Sequence, residues 1–213
     1  MQRVVERIAA SRRRLRLVVL THGHSDHRGA ADALAHATGV AARGWATGAG
    51  ALRDDELLDL DGERLLALHT PGHAQDHVVF YWEARGILFS GDLVLGQGTV
   101  NVTPPGGSMA AYLRSLDRVA RLPLTLIAPG HGPLISNPKD RLAEYRAHRL
   151  MRERQILEML AAAPRSVSEL TASIYPELDP RLQGAAAGTV TAHLEKLIDD
   201  GRVVRQGARF AVT

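Results

Sequence analysis

The sequence predicts an α/β protein followed by a small winged-helix-like α+β module. Three observations predict it. Apolar runs at 15–20, 65–70, 86–90 and 124–127 each end in a turn that carries histidine or aspartate, and strand ends are where an α/β sheet presents its chemistry. Stretches of helical period alternate with these runs. From Asn137-Pro138 the character changes to a long charged helix pattern, two shorter helices and a closing hairpin. The expected domains are therefore 1–138 and 139–213.

Val4, Val5, Ile8 and Ala9 recur at helical spacing, so residues 2–13 read as an amphipathic helix closed by Arg12-Arg13-Arg14, where cations complement the helix dipole. The run 15–20 reads as a buried strand, 30–38 as a helix stopped by Gly39, and 40–42 as a short strand. Residues 45–59 read as loop and weak helix. The strand at 65–70 is followed by a hairpin of 78–82 with 86–90 around Glu83-Ala84-Arg85. The Gly/Pro-rich stretch 96–108 is a loop long enough to suggest one wall of a site. A helix at 109–122 with Ser108 as N-cap comes next, then the strand at 124–127. The C-terminal part reads as helices at 139–163, from 166 and at 185–199, then a hairpin turning at Gln206-Gly207.

Composition narrows the class. With 213 residues and 45% hydrophobic content the chain can bury a core. A net charge of +3 is too weak a field to argue for nucleic acid by itself. The absence of cysteine excludes disulfides and thiolate-bound metal. No apolar run approaches the roughly 18 residues of a membrane span, and the N-terminus lacks the apolar core of a signal peptide. The expectation is a cytoplasmic protein with no membrane partner.

The chemistry centres on Thr21-His22-Gly23-His24-Ser25-Asp26-His27. On a turn beyond a strand, His22 and His24 can converge on one cation while Asp26 and His27 face a second. Imidazole nitrogen with carboxylate oxygen suits Zn2+, with Mn2+ or Fe2+ also compatible. The later strand ends supply His73 as a third ligand for His22 and His24, Asp92 as a carboxylate able to bridge two cations, and His131 as partner to Asp26 and His27. His69, inside a strand, reads as a core residue or one that supports a ligand, and His77 as a supporting residue or a substrate contact.

These motifs, Thr-His-x-His-x-Asp-His-x-Gly, Thr-Pro-Gly-His, Ser-Gly-Asp and Pro-Gly-His-Gly, resemble the metallo-β-lactamase superfamily in identity and order. Gly96-x-Gly98-Thr99, Pro104-Pro105, Asn137-Pro138, the segment His148-Arg149-x-x-Arg152-Glu153 and the winged-helix tail resemble its lactamase-beta-like protein 2 branch of endoribonucleases. The resemblance implies an αββα sandwich, lacking here the strands that usually precede the first histidine motif, with a sheet edge that would favour a homo-oligomer. It implies two Zn2+ ions, on His22/His24/His73 and on Asp26/His27/His131, bridged by Asp92. A hydroxide between the metals would be the nucleophile, oriented by Asp26, so Asp26 and Asp92 are the expected catalytic carboxylates. His77, Thr99, Arg149 and Arg152 are candidate substrate contacts. The implied reaction is cleavage of single-stranded RNA phosphodiesters. Thioester, ester or lactone hydrolysis of the glyoxalase II type, with weaker β-lactamase activity, is the alternative. A non-catalytic metal- and DNA-binding winged-helix protein is the reading of another class, against which the acidic Glu195, Asp199 and Asp200 weigh.

Overall fold

The computed structural model describes residues 2–11, 14–45 and 50–213. They form two compact units: Met1–Thr70, Asp76–Gln97 and Pro123–Ser136 make the first, and Pro71–Gln75, Gly98–Leu122 and Asn137–Thr213 the second. No helix among the described residues is long and apolar enough to cross a membrane.

The first unit begins with α1 (Gln2–Ala10), β1 (Val18–Val19), α2 (Ser25–Arg28), α3 (Ala31–Thr38) and β2 (Ala42–Arg43). Of the basic run expected to close α1, Arg12 and Arg13 lie outside the described residues. Gly39 ends α3 as expected, in the left-handed region at φ 71°. The apolar run before the histidines is less of a strand than its composition predicts. Only Val18–Val19 is in β1, half-buried, pairing in parallel with Ala42 and Arg43 of β2.

A five-stranded sheet follows in spatial order: β3 (Glu56–Leu60), β4 (Glu63–His69), β5 (Val78–Trp82), β6 (Ile87–Gly91) and β7 (Leu126–Pro129). Its pairs are antiparallel except β6 with β7, which run parallel. Central β5 is nearly continuous in apolar residues because it is covered on both faces: Val78, Val79, Phe80 and Tyr81 are all buried. Leu58, Ala67, Val78 and Phe80 form a core with Leu52, against which Leu17, Val19 and Trp45 pack.

Strand β3 corrects the expectation of loop and weak helix at 45–59, whose residues 46–49 lie outside the description. Leu60 pairs with Glu63 across Asp61-Gly62, and both turn residues have positive φ, 58° and 95°. That is the two-residue hairpin turn that Asp-Gly favours. The dipeptide was the available signal, and it outweighs the weak helical period before it.

The second unit holds α4 (Met109–Val119), α5 (Pro138–Ala162), α6 (Val167–Ile174), α7 (Gln183–Asp199), β8 (Val203–Gln206) and β9 (Arg209–Val212). The Ser108 hydroxyl accepts from the Ala111 N–H to cap α4, a contribution of about 1 kcal/mol. Ser166 and Glu169 form a reciprocal capping box on α6. Ile156 and Leu160 of α5, Leu170 and Ile174 of α6, and Val190, Leu194 and Leu197 of α7 share one core with Val203 and Phe210 of the β8–β9 hairpin. Three helices and a wing thus close around one apolar cluster, as the C-terminal periodicity predicts. A short 3-10 turn at Pro180–Leu182 leads into α7.

Candidate metal centre

Within the first unit the strand ends bring four candidate ligands together. The single turn α2 is held by His27 and Arg28 N–H groups donating to the His24 carbonyl, which sets Asp26 and His27 side by side. His27 Nε2 lies 3.1 Å from His131 Nε2. Asp26 Oδ2 is 3.1 Å from His131 Nε2 and 3.7 Å from His27 Nε2, and Asp92 Oδ1 is 3.3 Å from His27 Nε2. Nearby, His22 Nε2 and His24 Nδ1 are 2.9 Å apart, and His22, His27 and Asp92 also offer mutually close ligand atoms. The donor set fits a divalent cation: nitrogens and oxygens converge on His27 from both sides, and two groups share that residue. Burial pushes the Asp26 carboxyl up, but a backbone hydrogen bond and the His27 and His131 imidazoles outweigh it and hold it below the ordinary carboxylate range.

Glycine keeps this cradle open. A Cβ at Gly130 would stand 2.6 Å from His27 Cε1 and 2.8 Å from Asp92 Oδ1. The Gly130 N–H donates to the Gly91 carbonyl and the Gly96 N–H to the His131 carbonyl, both at 2.9 Å. These bonds tie the ends of β6 and β7 together, so Asp92 and His131 emerge from adjacent parallel strands.

His77 is not placed as a substrate contact. It is fully buried, its Nε2 accepts from the Asp92 N–H at 3.0 Å, and its Nδ1 lies 2.9 Å from Thr70 Oγ1. Because Nε2 accepts, the neutral ring carries its proton on Nδ1 and donates to Thr70. His77 therefore brackets the turn that presents Asp92, a support of the kind metal ligands require. His69 stacks on Trp45, centroids 3.7 Å apart, in keeping with a packing role.

His73 belongs to the second unit, where its turn is clamped closely. The Ser115 hydroxyl donates to the Pro71 carbonyl at 2.7 Å, and the Ser108 N–H to the Gly72 carbonyl at 2.8 Å. Gly72, at φ 147°, lies so close to α4 that a Cβ would meet the Tyr112 backbone at 2.3 Å, which explains the glycine before the histidine. His73 Nδ1 is 2.7 Å from the Asn101 carbonyl. That contact places the ring proton on Nδ1 and leaves Nε2 as the atom able to ligate a cation. Sequence reasoning passed over Asn101, which acts through its backbone carbonyl, and met Thr70, Gly72 and Gly130 only as motif positions, without the hydroxyl contact of Thr70 or the close packing of the two glycines.

The remaining candidates also lie in the second unit. Arg149 is 2% exposed, and its Nη2 donates to Thr99 Oγ1 at 3.0 Å and to the Val100 carbonyl. It straps the 99–100 segment to α5. Thr99 is exposed. Arg152 is partly exposed, with its guanidinium carbon 4.8 Å above the Tyr175 ring.

Convergent histidines and aspartates at the strand ends of a mixed sheet define an α/β protein of the metal-dependent hydrolase class. Comparison with known proteins agrees. The description "Metallo-beta-lactamase superfamily" matches residues 2–131, and "Beta-lactamase associated winged helix domain" matches residues 166–210. The chain belongs to the metallo-beta-lactamase superfamily, with a winged helix at its C-terminal side. It is 34% identical over 201 residues to the lactamase-like protein aptB of Emericella nidulans, covering 87% of this chain and 64% of that one. It is 31% identical to a beta-lactamase-like protein 2 homolog of Caenorhabditis elegans, covering 92% and 69%, and 35% identical to the Drosophila melanogaster homolog, covering 67% and 48%. The chain thus spans about half to two thirds of the length of these relatives. Among solved structures, a beta-lactamase domain protein from Burkholderia ambifaria superposes with TM-score 0.84 at 25% identity, over 98% of this chain and 78% of that one. A metallo-beta-lactamase family protein from Thermus thermophilus superposes with TM-score 0.67 at 34% identity, over 76% and 54%.

Proposed function

We propose that the chain is a hydrolase working with two divalent cations, Zn2+ by the chemistry of the donors, with Mn2+ or Fe2+ compatible. One would be held by His22, His24 and His73, the other by Asp26, His27 and His131, with Asp92 shared. The observation that carries this reading is the convergence of Asp26, His27, Asp92 and His131, whose facing nitrogens and oxygens lie 3.1 to 3.7 Å apart. When bound, such cations lower the pKa of water toward ~7 and polarise the substrate. The chain's own residues do the rest. Asp26, exposed and ionised, accepts a hydrogen bond from the attacking water and orients it. His77 and Thr70 hold the Asp92 turn, and the Asn101 carbonyl holds the His73 ring.

The substrate we propose is a single-stranded RNA phosphodiester, in a cytoplasmic protein whose metallo-β-lactamase domain runs over 1–138 and whose appended domain runs over 139–213. Exposed Glu195, Asp199 and Asp200 at the C-terminal end of α7 argue against a duplex reader. Ester or thioester hydrolysis is the second reading, since the same donor set serves either carbonyl or phosphoryl chemistry. A homo-oligomer would form by pairing along edge strand β3, where Leu57 is 50% exposed. The test is metal content per chain together with turnover of fluorescent single-stranded RNA, a thioester and a chromogenic β-lactam. Two metals per chain, and RNA cleavage abolished by Asp92→Ala or Asp26→Asn, are expected. Turnover confined to the thioester would move the protein to the second reading. Salt-dependent DNA binding with no turnover would refute hydrolysis.

A further inference from the structure

The second unit holds a cavity of about 330 Å3, lined by Arg149, Arg152 and His148 together with Tyr175, Leu178 and Leu182. None of the proposed metal ligands lines it. That volume is at the small end of ligand pockets, which run from about 300 to 1,000 Å3, and it suits a ligand of nucleotide size or less.

The polar groups here are incompletely used. Arg149 Nε and Arg152 Nε are buried and make no hydrogen bond among the described residues. Arg152 Nη1 donates to Gln155 Oε1 at 2.8 Å, and Arg149 holds Thr99 and Val100. Neither guanidinium is paired with a carboxylate among the described residues. Glu153, which follows Arg152 in sequence, is taken by Lys196 at 3.0 Å and Arg202 at 3.6 Å. Two guanidiniums three residues apart on α5 therefore share one cavity without a counter-charge. Beyond Thr189, which also lines the cavity, His193 is 1% exposed, with neither ring nitrogen hydrogen-bonded among the described residues. Burial first, then Arg149, Lys196, His148 and Arg152, push its pKa down to about 3. Burial and the two arginines lower His148 as well, against Glu144, which raises it. The local potential is positive, and the unpaired N–H groups are the donors an oxyanion accepts from.

We propose that this cavity is an anion site that takes a phosphate group through Arg152 and Arg149, with the organic part of the ligand against Tyr175, Leu178 and Leu182. Phosphate fits better than carboxylate because two separate guanidiniums present more N–H donors than two oxygens can accept in a plane. The phosphate can belong to a free nucleotide or to an RNA strand. The two arginines are distinct from the proposed ligands; Asn101, which also lines the cavity, touches one of those ligands, its carbonyl meeting His73.

The experiment titrates the full chain with inorganic phosphate, AMP, adenosine and a short single-stranded RNA, following calorimetry and the arginine Nε–H signals by NMR. AMP is expected to bind, to shift the Arg149 and Arg152 Nε–H signals, and to lose about tenfold or more in affinity in Arg152→Gln, with Asp26→Asn unchanged. The Nε–H shifts are read in the unsubstituted protein, so a poorly folded variant leaves the proposal testable. AMP binding tighter than RNA assigns the phosphate to a free nucleotide, and the reverse order assigns it to a strand. Adenosine binding as well as AMP, Nε–H signals unmoved by AMP, or affinity lost in Asp26→Asn but kept in Arg152→Gln would overturn the proposal. Loss of RNA turnover in Asp92→Ala with AMP binding intact would separate this site from the metal centre.

Discussion

Replacing His77 by leucine keeps most of the buried volume and removes both ring nitrogens. The Asp92 N–H loses its acceptor at 3.0 Å and Thr70 Oγ1 loses its donor at 2.9 Å, and Thr70 is itself fully buried. A buried group that loses its partner costs about 1–3 kcal/mol, and Thr70 Oγ1 keeps a long 3.5 Å bond to the residue 77 carbonyl, so the variant should lose about 2–5 kcal/mol of stability. Native domains carry about 5–15 kcal/mol, so most of the population stays folded. The second consequence separates support of the site from ordinary packing. With its backbone anchor gone, the Asp92 turn moves, and metal affinity should fall about 10- to 100-fold. Urea unfolding of the metal-free chain measures the first effect, and chelator competition for zinc the second. Thr70→Val, which removes only the Nδ1 partner, should cost less on both scales. A His77→Leu chain that loses stability but binds zinc as before would refute the bracketing role and leave His77 as a core residue.

Two other consequences are open to direct measurement. Gly130→Ala places a methyl 2.6 Å from His27 Cε1 and 2.8 Å from Asp92 Oδ1, so it should depress zinc binding and turnover while far-UV circular dichroism stays unchanged; full activity would show that the two ligands can move apart freely. His193, with its pKa pushed to about 3 in the fold and ordinarily about 6.5, contributes a pH dependence of known sign. Between those values the unfolded chain takes up the proton and the folded chain does not, so stability is full above about pH 6.5 and falls as pH drops toward 3, by about 2 kcal/mol at pH 5. Urea midpoints of His193→Leu should lack that component, and parallel curves for the two chains between about pH 7.5 and 5 would refute it.

Much of the site was legible because metal chemistry restricts residue type. Cysteine being absent, only clustered histidines and aspartates remained as strong ligands, and their spacing after apolar runs placed Asp26, His27, Asp92 and His131 at strand ends that do converge. The winged helix was legible because its core follows helical period and its caps are local, as at Ser166 and Glu169. Strand β3 was missed by weighing a weak period above the Asp61-Gly62 turn.

The α/β class, the appended helical module and the ligand types follow from periodicity, capping and donor chemistry, which are local properties of the chain. Groups whose role depends on what lies opposite them acquire that role only in the folded chain. The sequence left His77 open between supporting residue and substrate contact and offered Arg149 as a substrate contact; His77 lies buried beneath the Asp92 turn, and Arg149 straps Thr99 and Val100. Gly72 and Gly130 matter through the space they leave beside Tyr112 and His27. A side chain's chemistry is written in the chain, whereas its burial and its partner come from segments far away in sequence, which only folding brings into contact.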